Sequence, residues 1–118
     1  RKGATHVYYV YPLLIDQKKC GFEKYKLYKF LKSYGVPVSL KYVNLHLLPI
    51  LIKKNKLPWN LVKKKYIYKK GDCPIAEDYQ DNKYIALNMC SYNYTSENIN
   101  DIIKLFEVFW KKNLKLNQ

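Results

Sequence analysis

Hydrophobic and polar residues alternate with changing period along this chain, and the changes mark its elements. "HVYYVYPLLI", His6 to Ile15, is dense in β-branched and aromatic residues and predicts a strand. Pro12 has no N–H to give a ladder, so it must face an edge or sit at a bulge. "FEKYKLYKFLKSYG" changes to helical spacing, with Leu27, Phe30, Leu31 and Tyr34 on one stripe and Lys26, Lys29 and Lys32 between them. Gly35 supplies the stop, because a left-handed residue ends a helix at little cost. "VPVSLKYV", Val36 to Val43, alternates as a half-buried strand does.

The pattern loosens between Asn44 and Tyr66. Pro49 and Pro58 mark boundaries there, with a helical turn expected at Leu47 to Ile52 and an irregular excursion carrying Trp59. "CPIAEDYQD" predicts a short helix with Pro74 in its first turn, where a missing N–H costs nothing. "KYIALNMCSY" predicts a third strand. Thr95 or Ser96 caps a final helix, with Glu97 at its positive end. Ile99, Ile102, Ile103, Phe106, Phe109 and Trp110 form its apolar face, and Lys111, Lys112 and Lys115 crowd its other end. The order predicts an α+β domain over residues 1–118: a small three-stranded antiparallel sheet with helices packed on one face. So small a sheet leaves long edges, which implies cover from a partner.

Composition narrows the classes. With 118 residues, 48% of them hydrophobic, the chain suits one packed domain. Its net charge of +13 would draw nucleic acid, anionic lipid or a phosphorylated ligand. Arg1, however, is the sole arginine, and sequence readers of nucleic acid favour the arginine fork. Solvated lysine faces are the better reading, and nucleic acid is disfavoured as a partner. No run of 18 residues is free of charge, so neither a spanning helix nor a membrane partner is expected, and no cleavage site follows the first apolar run. Cysteines at 20, 73 and 90 form neither a disulfide framework nor a metal signature, which fits reduced thiols and a cytoplasmic location. The start at Arg1 suggests a piece of something longer.

The residues alone assemble no catalytic set and no metal site. His6 heads a strand with no partner in sequence. His46, in "YVNLHLLP", reads either as a capping or packing residue or as a ligand contact at the mouth of a cleft. Glu77, Asp78 and Asp81 read as a solvated acidic turn, and Cys73 and Cys90 as packing residues. No lysine sits in an apolar setting that would make it a nucleophile. "NMCSYNY" reads as a pocket wall or as a turn built from Ser and Asn.

A series of segments nevertheless resembles the C-terminal end of the DegT/StrS family of pyridoxal-phosphate-dependent sugar aminotransferases. They are "YGVPVSLKYVNLH", "CPIAE" (Cys73 to Glu77), "ALNMCSY" (Ala86 to Tyr92) and "TSENINDIIKLF" (Thr95 to Phe106). They follow the family's order over nearly the whole chain, with Asn44 and Asn88 where the family has proline and Cys90 where it has histidine. The resemblance implies a small domain that closes the substrate cleft of a larger enzyme and is inactive alone. Pyridoxal phosphate and its Schiff-base lysine would belong to a large N-terminal domain absent here. Tyr42, Asn44, His46 and Trp59 become candidates for contacting a keto-sugar or nucleotide-sugar, in a homodimer serving amino-sugar or cell-surface polysaccharide biosynthesis. The alternatives are a stand-alone basic module for an anionic partner and a degenerate relative without catalysis.

Overall fold

The computed structural model describes residues 2–40, 42–52 and 68–114. Its elements in chain order are β1 (Tyr11–Leu14), α1 (Gln17–Cys20), α2 (Lys24–Ser33), β2 (Val38–Ser39), a 3₁₀ turn (Leu45–Leu47), α3 (Pro49–Ile52), α4 (Pro74–Asp78), a π turn (Tyr79–Lys83), β3 (Tyr84–Leu87) and α5 (Ser96–Leu114). The fold is α+β. Its three-stranded sheet runs β1-β3-β2, and both pairings are antiparallel, with Leu13 opposite Ile85 and Val38 opposite Leu87.

Alternation places Ile85 and Leu87 on one face of β3. Both are buried against Leu27 and Leu31 of α2, Val36, Val38 and Phe109 of α5. Phe22 closes this core from below, its ring edge-on to Phe109 at 4.9 Å and to Trp110 at 5.3 Å. Helix α2 exists because its apolar residues recur every three or four positions. It stops where Tyr34 and Gly35 donate back to the Leu31 and Lys32 carbonyls, with Gly35 at φ +76°. Lys26, Lys29 and Lys32 face solvent on its outer side.

Helix α5 starts at a reciprocal cap: Asn98 N–H donates to Thr95 Oγ1 (3.2 Å) and Thr95 N–H donates to Asn98 Oδ1 (3.1 Å). Its inward stripe is Ile99, Ile102, Leu105, Phe106 and Phe109. Ile103, expected on that stripe, is half exposed, because it stands one position off the period.

All three strands are shorter than the sequence predicts, and β3 ends at Leu87 rather than running on to Tyr92. Tyr8 adopts φ +51° and breaks the extended run, so β1 begins only at Tyr11. Beyond Ser39 the main chain of the expected second strand bonds to side chains. Leu40 C=O accepts from Lys24 Nζ at 3.0 Å, and Tyr42 N–H donates to Gln80 Oε1 at 2.7 Å. β1 forms an outer border of the sheet, as Pro12 requires. Ile15 N–H donates to Lys83 C=O, so the odd-numbered residues address β3 and Pro12 turns its main chain outward. Among the described residues, no helix is long and apolar enough to cross a membrane.

Candidate functional site

Chemistry concentrates where the 3₁₀ turn meets α4. The approach to α4 is a tight turn: Lys69 N–H donates to Asp72 Oδ2 at 2.9 Å, and Gly71 sits at φ +98°. Pro74 opens the helix with no N–H to satisfy. Glu77, one turn on, then reaches back over the helix start. Gly71 N–H donates to both of its oxygens, at 2.8 and 2.9 Å, and Cys73 N–H donates to Oε1 at 3.3 Å. From the other side His46 Nε2 lies 2.8 Å from the same Oε1. Both side chains are buried, each with under a tenth of its surface exposed.

An ionised carboxylate only accepts, so the donors arriving from Gly71, Cys73 and His46 suit the charged form. Burial pushes the Glu77 carboxyl up. Hydrogen bonds from Gly71, His46 and Cys73, with the charge His46 can carry, outweigh it and hold the carboxyl below its ordinary value. The solvated acidic turn expected for this helix is therefore corrected. Asp81 is exposed and Asp78 is half-buried, whereas Glu77 is a buried acceptor. With Glu77 ionised, His46 presents Nε2–H to it, which fixes the orientation of the ring.

A second set of contacts fixes the chain before His46. Lys24 Nζ donates to Leu40 C=O (3.0 Å) and Gln80 C=O (2.6 Å), and the Gln80 side chain accepts from Tyr42 N–H. One lysine thus joins the start of α2, the end of β2 and the π turn. Single π turns recur at functional sites because they re-aim the residues that follow.

Tyr42 and Asn44 come together on a cavity of about 230 Å³, shared with Val43, Leu47, Lys70 and Asp81. Lys70 and Asp81 form an ion pair of 3.3 Å there. Asn44 Oδ1 is buried without a hydrogen-bond partner among the described residues. His46 lies inward of this cavity, on Glu77, and Trp59 lies outside the described residues. Close to the pair in sequence, Val43, Leu45 and Ile75 are 54%, 65% and 75% exposed.

The cysteines are free. Cys20 packs against the core and Cys73 is half-buried. Cys90, expected as a packing residue, is exposed, with Sγ 3.5 Å from Tyr8 C=O. Among the described residues no cluster of histidine, cysteine or carboxylate could hold a metal ion. His6 is exposed and accepts from Tyr8 N–H at 2.8 Å.

Sequence reasoning missed Glu77, Gln80 and Lys24. One signal for Glu77 was available: a glutamate one turn into a proline-initiated helix, behind a glycine turn, can reach the free N–H groups at its own helix start.

No family model matches the chain, and no solved structure matches it. It is similar to an uncharacterized protein of Methanocaldococcus jannaschii, 31% identical over 77 residues. That alignment covers 65% of this chain and 17% of the relative, so the chain spans only a small part of the relative's length.

Proposed function

We propose that this chain is the C-terminal small domain of a larger pyridoxal-phosphate-dependent aminotransferase of the DegT/StrS type. In that reading it closes one side of a cleft that receives a keto-sugar or nucleotide-sugar. The supporting observation is the His46–Glu77 bond. It ties the end of "YVNLH" to the end of "CPIAE", two of the segments that carry the resemblance, across 31 residues of sequence. Val43 and Leu45, beside His46, and Ile75, in the helix of Glu77, are exposed, which suits segments meant to be covered. The relative's much greater length suits a larger parent.

In this role Tyr42 and Asn44 face the sugar, with a phenol and an amide to meet its hydroxyls. His46 is a positioning residue. Held by Glu77, it keeps the Tyr42–Asn44 segment at the cavity. Two lysines, Lys24 and Lys83, do not fit the cofactor. A Schiff-base lysine needs a lowered pKa. Lys24 donates hydrogen bonds to two carbonyls, and the hydrogen bond that Lys83 donates to Asp78 holds Lys83 above its ordinary value. In this reading cofactor chemistry belongs to another part of the parent enzyme.

The test is to purify the natural gene product under native conditions, following it with an antibody against this chain. The expected product is several times larger, carries pyridoxal phosphate visible by absorbance, and transfers nitrogen from glutamate to a keto-sugar nucleotide. A product of only this length, or one without the cofactor, overturns the proposal.

A further inference from the structure

The cleft lies away from the His46–Glu77 junction, between the turn that ends α2 and the start of α5. It has a volume of about 370 Å³, within the roughly 300–1,000 Å³ usual for small-molecule sites. Val36, Ile102 and Leu105 supply apolar lining. Tyr34 and Tyr92 line it as well, 60% and 57% exposed. Asn93, Asn98 and Asp101 contribute amides and a carboxylate. A Cβ added at Gly35, also in the lining, would meet nothing within 4 Å, so the backbone is approachable there. "NMCSYNY" thus contributes Tyr92, Asn93 and Tyr94 to a pocket wall, one of the two readings its residue types allow.

We propose that this cleft binds a neutral carbohydrate, with the C–H face of a pyranose against the tyrosine rings and its hydroxyls on Asn93, Asn98 and Asp101. Three observations carry it. Exposed tyrosine rings offer flat apolar area at low conformational cost, and the planar amide and carboxylate groups beside them supply the donors and acceptors that hydroxyls need. The wall is held before any ligand arrives: Tyr94 donates its hydroxyl to Asn88 C=O at 3.0 Å, the Tyr92 ring stands at 61° to that of Tyr94, and Asn98 is fixed by its exchange with Thr95. Among the described residues, the lining offers an anion no cation of its own. The chain carries +13, yet none of its described lysines lines this cleft, and the Asp101 charge is met by Lys104 at 2.9 Å. A phosphate or nucleotide site would place cations there. The inference uses none of the candidate substrate contacts Tyr42, Asn44 and His46, and its test does not depend on the aminotransferase reading.

The test is a titration of the ¹⁵N-labelled 118-residue chain with the methyl pyranosides of glucose, galactose, mannose and N-acetylglucosamine, and separately with inorganic phosphate. Amide shifts are expected at Gly35, Asn93, Asn98 and Asp101 with at least one sugar and not with phosphate. Tyr92→Ala and Asn93→Ala should each weaken that binding about tenfold or more with the rest of the spectrum unchanged. Ile103→Ala, outside the cleft, should leave it intact. No response to any of the four sugars, shifts at a different surface, or an equal response to phosphate would each overturn the proposal, as would undiminished binding in both cleft variants.

Discussion

His46 Nε2 stands 2.8 Å from Glu77 Oε1, and the same oxygen accepts the main-chain N–H groups of Gly71 and Cys73. A single carboxylate therefore organises a glycine turn, a helix start and a histidine from a distant segment. The pairing has direct consequences for stability and its pH dependence.

The Glu77 carboxyl has a lower pKa folded than unfolded, so its contribution is complete above the ordinary carboxylate range. It is lost as pH falls through the folded value below that range. Asp78, lowered by its bonds to Asn82 and Lys83, acts with the same sign. Glu77→Gln should lower Tm at neutral pH and reduce the acid-side loss, which thermal melts from pH 7 to 3 would measure. The Asp78→Asn variant separates the two carboxylates. An unchanged acid profile in Glu77→Gln would mean the carboxylate is not the ionised acceptor described.

Leu31 is fully buried between α2 and the sheet, while Ile103 is half exposed on α5. Leu31→Ala should cost about 2–5 kcal/mol, and Ile103→Ala within about 0.5 kcal/mol of nothing. Urea melts of both variants report how α5 is rotated about its axis. Equal costs would place Ile103 in the core.

Replacing Lys24 by methionine retains the stem and removes the donor to the Leu40 and Gln80 carbonyls. The loss is expected to be on the order of 1–3 kcal/mol, with faster hydrogen exchange at the Tyr42 amide, which the same π turn holds through Gln80. Lys26→Met, on the exposed side of α2, is the comparison and should change little.

Thr95→Ala removes an acceptor from the first turn of α5 and should cost about 1 kcal/mol. Thr95→Ser keeps the acceptor and should recover most of it. Fraying would show first as lost protection at the Asn98 amide, the donor in that cap.

Incubated with pyridoxal phosphate, the 118-residue chain is expected to develop no stoichiometric absorbance of bound cofactor. Lys24 is committed to two carbonyls and Lys83 to Asp78 at 2.6 Å. A saturable band, reducible onto one lysine, would remove the argument that cofactor chemistry lies elsewhere.

Much of the architecture was legible because it rests on local rules. Gly35 announced a stop and Pro74 a first turn, and both hold; of Thr95 or Ser96 the cap is Thr95, and of an edge or a bulge Pro12 takes the edge. What the sequence could not show depends on partners far along the chain. Glu77 looked solvated because neither His46 nor the Gly71 turn is adjacent to it in the pattern. The second strand looked long because nothing local says that Lys24 and Gln80 will take its main-chain groups. Tyr42 and Asn44 line one cavity, and His46 takes the packing role, one of the two readings its sequence position allowed, though its partner Glu77 was not legible. The first strand looked long for a different reason: the left-handed turn at Tyr8 uses a tyrosine, and residue type gives no warning of it.

Pro12 has one more implication, for solubility. A sheet with an unshielded flank is a template on which identical chains can stack, and such stacking needs an unbroken row of outward N–H groups. In β1 the ring of Pro12 interrupts that row. Replacing it with valine would restore the row and is expected to raise thioflavin-positive aggregation above that of the unaltered chain.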